Sequence, residues 1–172
     1  MIALARGTLA GVLLFLAGFA FDARACDGDT SAVFACEAAN GRKVIELCGT
    51  SPMTKDGTLF YRFGSIDGNG ERKIELEYPK VDEGSVGRFF GATYTYQGVY
   101  TQSVRFVSGP YSYIVFTRAA GKTVDAGVDV KDRRSGKTTT IACSERPRFY
   151  IFDLKGFLAC DPETPAGKRC IE

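Results

Sequence analysis

Residues 33–48 read VFACEAANGRKVIELC, and this stretch predicts a β-hairpin. Asn40-Gly41 tolerates the positive φ angles of a tight type I′ turn, and strand-like runs flank it on both sides. A two-residue turn places Cys36 opposite Ile45. Because side chains alternate along a strand, Cys48 then points to the other face of the hairpin. We therefore predict that each of these cysteines is bonded to a cysteine elsewhere in the chain.

The first 25 residues have the organisation of a secretory signal peptide. Arg6 supplies the positive charge, residues 9–21 (LAGVLLFLAGFAF) form the apolar run, and Ala23-Arg24-Ala25 has the small-x-small form of a cleavage site. The run is shorter than the ~20 residues of a spanning helix, so we expect cleavage and no membrane span afterwards. Cys26 would become the first residue, but no lipobox precedes it, which makes lipidation the minor alternative.

All six cysteines lie after the predicted cleavage site. An even number of cysteines in an exported chain predicts disulfides and a periplasmic or secreted location. Two of the cysteines flank a short polar loop near the C-terminus and most simply close that loop. Early and late strands often meet in small β domains, which favours one long-range bridge. The favoured pairs are Cys36–Cys143, Cys26–Cys48 and Cys160–Cys170.

Removing residues 1–25 from the 172-residue chain leaves 147 residues, a length that suits one domain. About eight short strand-like runs follow one another between turn signals, and no helical apolar period appears after the signal segment. We predict an all-β fold, either an antiparallel β-sandwich or a small barrel. This β domain covers residues 26–158, and residues 159–172 form a C-terminal disulfide loop. In the alternating run 73–78 (KIELEY), Ile74, Leu76 and Tyr78 are expected to point inward.

Several chemistries lack the residues they need. The chain has no histidine, which excludes a Ser-His-Asp triad or a Cys-His pair. It also has no Cys-x-x-Cys motif of the kind that binds a metal ion. Residues 67–71 begin like a calcium loop, but Arg72 and Tyr78 replace the required glycine and glutamate. Net charge +2 gives no case for nucleic acid. Glu75 and Glu77 form the one carboxylate pair that could serve a hydrolase, which we keep as an alternative. We expect no enzymatic activity, no cofactor and no metal.

Aromatic density between residues 89 and 116 is the main candidate for a recognition surface. Tyrosine and arginine are the residues that anchor protein interfaces. The alternative is that these tyrosines pack in the core, as tyrosines do in β proteins without tryptophan. The candidate binding residues are Tyr94, Tyr96, Tyr100, Ser108, Gly109, Tyr111 and Tyr113, with Arg88, Arg105 and Arg118 nearby.

Two resemblances extend this reading. Five parts of the chain carry the first resemblance: the run from Cys36 to Cys48, the segments 59–64 (LFYRFG), 113–116 (YIVF) and 124–130 (VDAGVDV), and Cys143. In these parts the chain resembles a family of small, uncharacterised bacterial exported β proteins. The architecture is also similar to the periplasmic inhibitors of c-type lysozyme, small β-barrels with a disulfide between an early and a late strand. Residues 108–111 (SGPY) echo their Ser-Gly loop, whereas their Trp and Lys-Gly elements have no counterpart in register.

These observations point to an exported, non-enzymatic binding module of the cell envelope, with a protein or glycan as partner. Inhibition of lysozyme-like hydrolases is the sharpest form of this hypothesis, and the turn at residues 108–113 with the ends of the strands around residues 94–100 is its proposed surface. The alternatives are a structural or accessory envelope protein without a soluble ligand, and a carboxylate-based hydrolase.

Overall fold

The computed structural model describes Cys26 and residues 29–80, 84–149, 154 and 156–164. This part of the chain contains eleven strands and one 3₁₀ turn, Ser85–Arg88. In chain order the strands are β1 (Thr30–Ala38), β2 (Lys43–Thr50), β3 (Leu59–Ile66), β4 (Arg72–Tyr78), β5 (Phe90–Tyr96), β6 (Val99–Ser108), β7 (Tyr111–Ala120), β8 (Thr123–Asp132), β9 (Thr138–Ala142), β10 (Arg148–Phe149) and β11 (Ala159–Cys160).

The strands form two sheets, which confirms the all-β prediction in its sandwich form. The first sheet has the order β10-β1-β2-β3-β4, and the second has the order β11-β5-β6-β7-β8-β9. All neighbouring strands are antiparallel except β11, which pairs in parallel with β5. The prediction of about eight strands was low because β10 and β11 have two residues each, too few to leave a periodic pattern.

The opening hairpin forms in the predicted register. Cys36 lies opposite Ile45, and the turn residues Asn40 and Gly41 have φ angles of 58° and 78°. The N–H of Arg42 donates to the carbonyl of Ala39 across the turn at 3.4 Å. The Asn-Gly dipeptide therefore sets the pairing of the first two strands.

The core lies between the two sheets. In the first sheet, Phe34, Leu47 and Tyr61 are fully buried and adjacent on three neighbouring strands. From the second sheet, Phe106 contacts this layer, with its ring centroid 4.9 Å from that of Tyr61. Other buried members are Ile45, Leu59, Val86, Phe89, Val104, Val115 and Val128.

Strand β4 differs from its prediction at one position. Ile74 was expected to point inward, but it is 42% exposed. The pairing with β3 shifts between Phe63 and Gly64, so that Glu75 is an extra residue in the ladder. A bulge of this kind reverses the alternation, which leaves Leu76 packed against the core and Ile74 on the opposite face.

The two disulfides whose cysteines are both described have the predicted pairing. The Cα atoms are 5.8 Å apart in Cys26–Cys48 and 5.7 Å apart in Cys36–Cys143. Cys160 is also disulfide-bonded, and its predicted partner Cys170 lies outside the described residues. The residues 1–25, which the sequence assigns to a signal peptide, lie outside them as well.

The chain crosses from the second sheet to the first at the Cys36–Cys143 bridge. Cys143 pairs with Ala38 just after β9, and the N–H of Ser144 donates to Glu37 at 2.7 Å. The hydroxyl of Ser144 accepts a hydrogen bond from the N–H of Asn40. The long-range disulfide therefore closes the side of the sandwich where this crossing occurs.

Residues 159–164, assigned by sequence to the C-terminal disulfide loop, join the second sheet through β11. Arg105 and Asp161 form an ion pair at 2.7 Å, with side chains only 3% and 8% exposed. Glu163 also approaches Arg105, at 3.3 Å, and the guanidinium of Arg105 lies over the ring of Phe90. Arg105 therefore holds the C-terminal segment in place.

Within the described part of the chain, no helix has the length and apolar character needed to cross a membrane.

Candidate functional site

The predicted tyrosine surface is divided between two ends of the second sheet. Strand β6 has ten residues and spans about 30 Å at the usual rise per residue. Tyr96 pairs with Val99 at one end of this strand, whereas Ser108 pairs with Tyr111 at the other. Tyr94, Tyr96 and Tyr100 therefore lie far from Ser108, Gly109 and Tyr111, and the structure does not bring the two groups together.

Tyr113 belongs to the core. Its ring stacks on that of Phe106, with the centroids 4.9 Å apart and the planes 3° from parallel. Burial raises the pKa of the Tyr113 hydroxyl, and the neighbouring Tyr111 raises it further. Tyr113 therefore packs against the core, as the alternative to a recognition surface expected. Tyr111, in contrast, is 41% exposed at the end of the same strand.

The turn between β6 and β7 presents an exposed, tightly held loop. Gly109 has a φ of 57°, in the left-handed region that glycine adopts without strain, and Pro110 follows it with a fixed φ. Pro110 is exposed in the turn, and Tyr111 is exposed in the last pair of the ladder, opposite Ser108. The loop is short and its backbone has little freedom to lose when it binds a partner.

The turn between β8 and β9 lies at the same end of the sheet and is organised by Asp132. One carboxylate oxygen of Asp132 accepts hydrogen bonds from the N–H of Arg134 at 2.8 Å and of Ser135 at 3.3 Å. These bonds hold the pKa of Asp132 below its ordinary value. The backbone N–H of Asp132 also donates to Lys137 at 2.9 Å, which closes the hairpin.

The two turns are joined by a direct hydrogen bond. The N–H of Arg133 donates to the carbonyl oxygen of Pro110 at 2.9 Å, and Tyr111 pairs with Asp132 on the neighbouring strand. We refer to residues 109–111 and 131–137 together as the basic tip. Because each turn supports the other, the basic tip is a single structural unit.

The basic tip carries one carboxylate, Asp132, and four cationic side chains: Lys131, Arg133, Arg134 and Lys137. Arg133, Arg134 and Lys137 are exposed, and none of them forms an ion pair with any residue that the structure describes. In contrast, Arg105 and Arg118 in the body of the sheet are paired with Asp161 and Asp129. The positive charge of the basic tip is therefore available to a partner.

A groove of about 440 Å³ lies at the opposite end of the second sheet. Arg118 dominates it: the guanidinium lies 3.7 Å from the ring centroid of Phe116 and 2.5 Å from Asp129. Thr140 donates to the same carboxylate at 2.5 Å. The groove is lined by Phe116, Arg118, Val124, Asp125, Thr140 and Glu145, among others. The positive charge of Arg118 is therefore already balanced by Asp129 within the sheet.

The two carboxylates of the hydrolase alternative are both engaged by cations. Glu75 contacts Lys43 at 2.5 Å, and Glu77 contacts Arg62 at 2.6 Å. The hydrogen bond from Lys43 lowers the pKa of Glu75. A general acid of a glycosidase needs a raised pKa, so the environment of Glu75 does not suit that role.

The loop that begins like a calcium site is stabilised by its own backbone. The carboxylate of Asp67 accepts hydrogen bonds from the N–H of Asn69 at 2.8 Å and of Glu71 at 2.9 Å. Across the described residues, no group of three or more acidic or cysteine side chains could hold a metal ion. The loop therefore has the geometry of an aspartate-capped hairpin turn.

Sequence reasoning named Tyr111 as a candidate binding residue but did not consider the arginines beside it. Residues 132–136 were interpreted only as a turn, although Arg133-Arg134 in a hairpin loop is a signal of exposed positive charge. Comparison with known proteins adds no further candidate: no family model, no curated protein and no solved structure matches this chain.

Proposed function

We propose that this chain is an exported, non-enzymatic binding module of the cell envelope that blocks an enzyme with an acidic cleft. The enzyme class to test first is the lysozyme-like hydrolases. The periplasm or the extracellular space is the proposed location, with which the strand-joining disulfides are compatible.

The proposal rests on one observation, the union of an exposed proline-tyrosine turn with a turn whose two arginines form no ion pair among the described residues. Pro110 and Tyr111 project from the end of the sheet, and the Arg133 N–H holds the Pro110 carbonyl at 2.9 Å. A convex, rigid element of this kind suits insertion into a concave site. Its low conformational freedom reduces the entropy lost on binding.

Charge complementarity supports the choice of partner. Glycoside hydrolases cleave their substrates between two carboxyl groups, which gives the cleft a negative potential. Arg133, Arg134 and Lys137 would meet that potential while Tyr111 fills the apolar part of the cleft. Opposite charges at the rim of an interface mainly accelerate association and select the partner.

Two other functions remain as alternatives. A structural or accessory envelope protein would need no cleft-binding element, and its surfaces would instead contact copies of itself or the membrane. A carboxylate-based hydrolase would depend on Glu75 and Glu77. The ion pairs of these residues with Lys43 and Arg62 make them the weaker candidates for function.

The test is a muramidase assay with a panel of lysozymes, titrated with the purified, oxidised exported protein. We expect saturable inhibition of at least one enzyme at nanomolar to micromolar concentrations of the inhibitor. Inhibitor reduced with a thiol, and therefore lacking its disulfides, is the control for a folded binding surface. Full activity of every enzyme at saturating protein would contradict the proposal.

A further inference from the structure

The groove at the end of the second sheet opens where β9 leaves β8. Cys143 still donates its N–H to the carbonyl of Ala126 at 2.9 Å, but the next residue, Ser144, donates to Glu37 of β1 at 2.7 Å. The chain then continues into β10, which pairs with β1 in the first sheet. Residues 123–125, the first three of β8, therefore pair with β7 on one side and with no described strand on the other.

Val124 directs its backbone N–H and C=O groups into this groove. In an antiparallel ladder, alternate residues of a strand bond to the same neighbour. Ala126 accepts its hydrogen bond from the β9 side of the strand, and Asp132 donates to the same side. Val124 is an even number of residues from both and therefore faces that side too, where no described residue bonds to it. Unpaired groups of this kind on a strand edge are those to which an extended peptide adds as a further strand.

The walls of the groove offer a ligand more negative than positive charge. Asp125, Glu145 and Arg146 line the groove and are exposed. They form no ion pair with any residue that the structure describes. Arg118, the other cation of the lining, is paired with Asp129. Two carboxylates and one guanidinium therefore face the ligand, and the balance favours a cationic partner.

The rest of the lining leaves room for a narrow chain. Val124 is 39% exposed, and the small side chains of Ala126 and Ala142 lie beside it. The volume of about 440 Å³ is within the range of sites that hold small ligands or short peptide segments. Backbone pairing at Val124 requires a ligand with amide N–H and C=O groups in an extended conformation.

We infer that the groove binds an extended peptide segment with basic side chains. The backbone of the segment adds to β8 at Val124, and its ammonium or guanidinium groups contact Asp125 and Glu145. This inference goes beyond the proposed function and does not depend on it, because the basic tip lies at the other end of the second sheet. The contact area is small, so we expect a dissociation constant of roughly 10 µM to 1 mM.

Three capped pentapeptides are the probes. In the first, threonine alternates with lysine, which combines an extended backbone with positive charge. In the second, glutamate replaces lysine. The third has the sequence of the first but carries a methyl group on every backbone nitrogen, so it retains the charge and cannot donate a backbone hydrogen bond. Lysine peptides are also repelled by the basic tip, which separates the two sites.

The measurement is an NMR titration of the oxidised exported protein that follows the amide of Val124. We expect a saturable shift with the lysine peptide and none with the other two peptides at the same concentration. An unchanged Val124 amide, or equal shifts with any two of the peptides, would overturn the inference. A shift with chitotriose but with no peptide would assign the groove to a glycan, and a shift with protein concentration alone would assign it to a second copy. Either result would also overturn the inference.

A charge-neutralising variant tests the two carboxylates. Asp125→Asn with Glu145→Gln should weaken binding of the lysine peptide at least ten-fold. The matched control, Asp56→Asn with Glu71→Gln, makes the same change in net charge at exposed positions that do not line the groove, and it should bind like the original protein. Equal affinities of the two variants would overturn the inference. If the groove variant does not fold, the three peptides decide on the original protein.

Discussion

The N–H of Arg133 donates a hydrogen bond to the carbonyl oxygen of Pro110, with a distance of 2.9 Å between nitrogen and oxygen. This bond unites two hairpin turns that are separated by more than twenty residues in the chain. The exposed Tyr111 and two exposed arginines, Arg133 and Arg134, thereby occupy one rigid element. The proposed inhibitory function depends on this union.

Replacing Tyr111 with alanine is expected to weaken inhibition at least ten-fold, because buried interface tyrosines commonly contribute about 2 kcal/mol. The melting temperature should remain within a few degrees, since the ring is 41% exposed in the free protein. Thermal unfolding and inhibition assays on the same samples separate the two effects.

The matched control for this variant is Tyr96→Ala, which removes a tyrosine that is 50% exposed at the opposite end of β6. It should leave inhibition unchanged. Equal weakening by the two variants would place the binding surface elsewhere, and an equal loss of stability and inhibition by Tyr111→Ala would make the residue structural.

The association rate with the inhibited enzyme should fall steeply with salt, by about ten-fold between low and high ionic strength. The reason is that Arg133, Arg134 and Lys137 are exposed and form no ion pair with any residue that the structure describes. In the Arg133→Ala, Arg134→Ala variant most of this salt dependence should disappear, whereas the dissociation rate changes less. Stopped-flow or surface plasmon resonance kinetics at several salt concentrations measure both rates. A salt dependence that survives the double substitution would exclude these arginines from partner recognition.

Much of the fold follows from local patterns, and the exceptions have physical causes. Asn40-Gly41 set the first hairpin, and the turn signals separated the strand-like runs that form β1 to β9. The bulge at Glu75 left no signal in β4 itself, because it arises from how that strand pairs with β3. The crossing of the chain from the second sheet to the first after Cys143 also depends on tertiary contacts and leaves no local pattern in the sequence.

The candidate site could have been located better from the same sequence. Successive hairpin turns of a meander alternate between the two ends of a sheet, so the turns at Gln97 and at Gly109 had to lie apart. The same alternation returns the turn at Arg133 to the end that holds Pro110. The exposure of Tyr111 and the burial of Tyr113 depend instead on packing against Phe106, which the sequence does not specify.

Removing the Cys36–Cys143 bridge by double alanine substitution should lower the free energy of unfolding by about 5 kcal/mol, because it closes a loop of 107 residues. The Cys26–Cys48 bridge closes a loop of 22 residues, for which the same chain-entropy model gives about 3 kcal/mol. Urea unfolding of the two double variants compares these losses directly. A larger loss from the shorter loop would show that packing, rather than loop closure, dominates.

The stability of the protein should fall as the pH rises above about 10, the ordinary pKa of tyrosine. Burial raises the pKa of Tyr61 well above that value in the folded state, with a smaller contribution from Tyr113. Between the two pKa values the unfolded chain releases a proton that the folded chain retains, which favours unfolding. Tyr61 thus contributes full stability below pH 10 and loses it at higher pH.

The Tyr61→Phe variant tests this assignment. Its urea midpoint should decline less between pH 9 and about pH 11.5 than that of the original protein, because phenylalanine has no proton to release. Tyr96→Phe, at an exposed site, is the control and should behave like the original. An identical decline in all three proteins would show that Tyr61 does not govern alkaline unfolding.

The measurement that tests the central claim most directly is the inhibition constant of two charge-reversal variants against the same lysozyme. Arg133→Glu with Arg134→Glu reverses charge on the basic tip. Lys122→Glu with Arg146→Glu makes the same change in net charge at exposed positions away from the basic tip, in the turn between β7 and β8 and beside the groove. We predict that the tip variant loses inhibition at least a hundred-fold, while the control variant stays within about three-fold of the original protein. Equal inhibition by the two variants would contradict the assignment of partner binding to the basic tip.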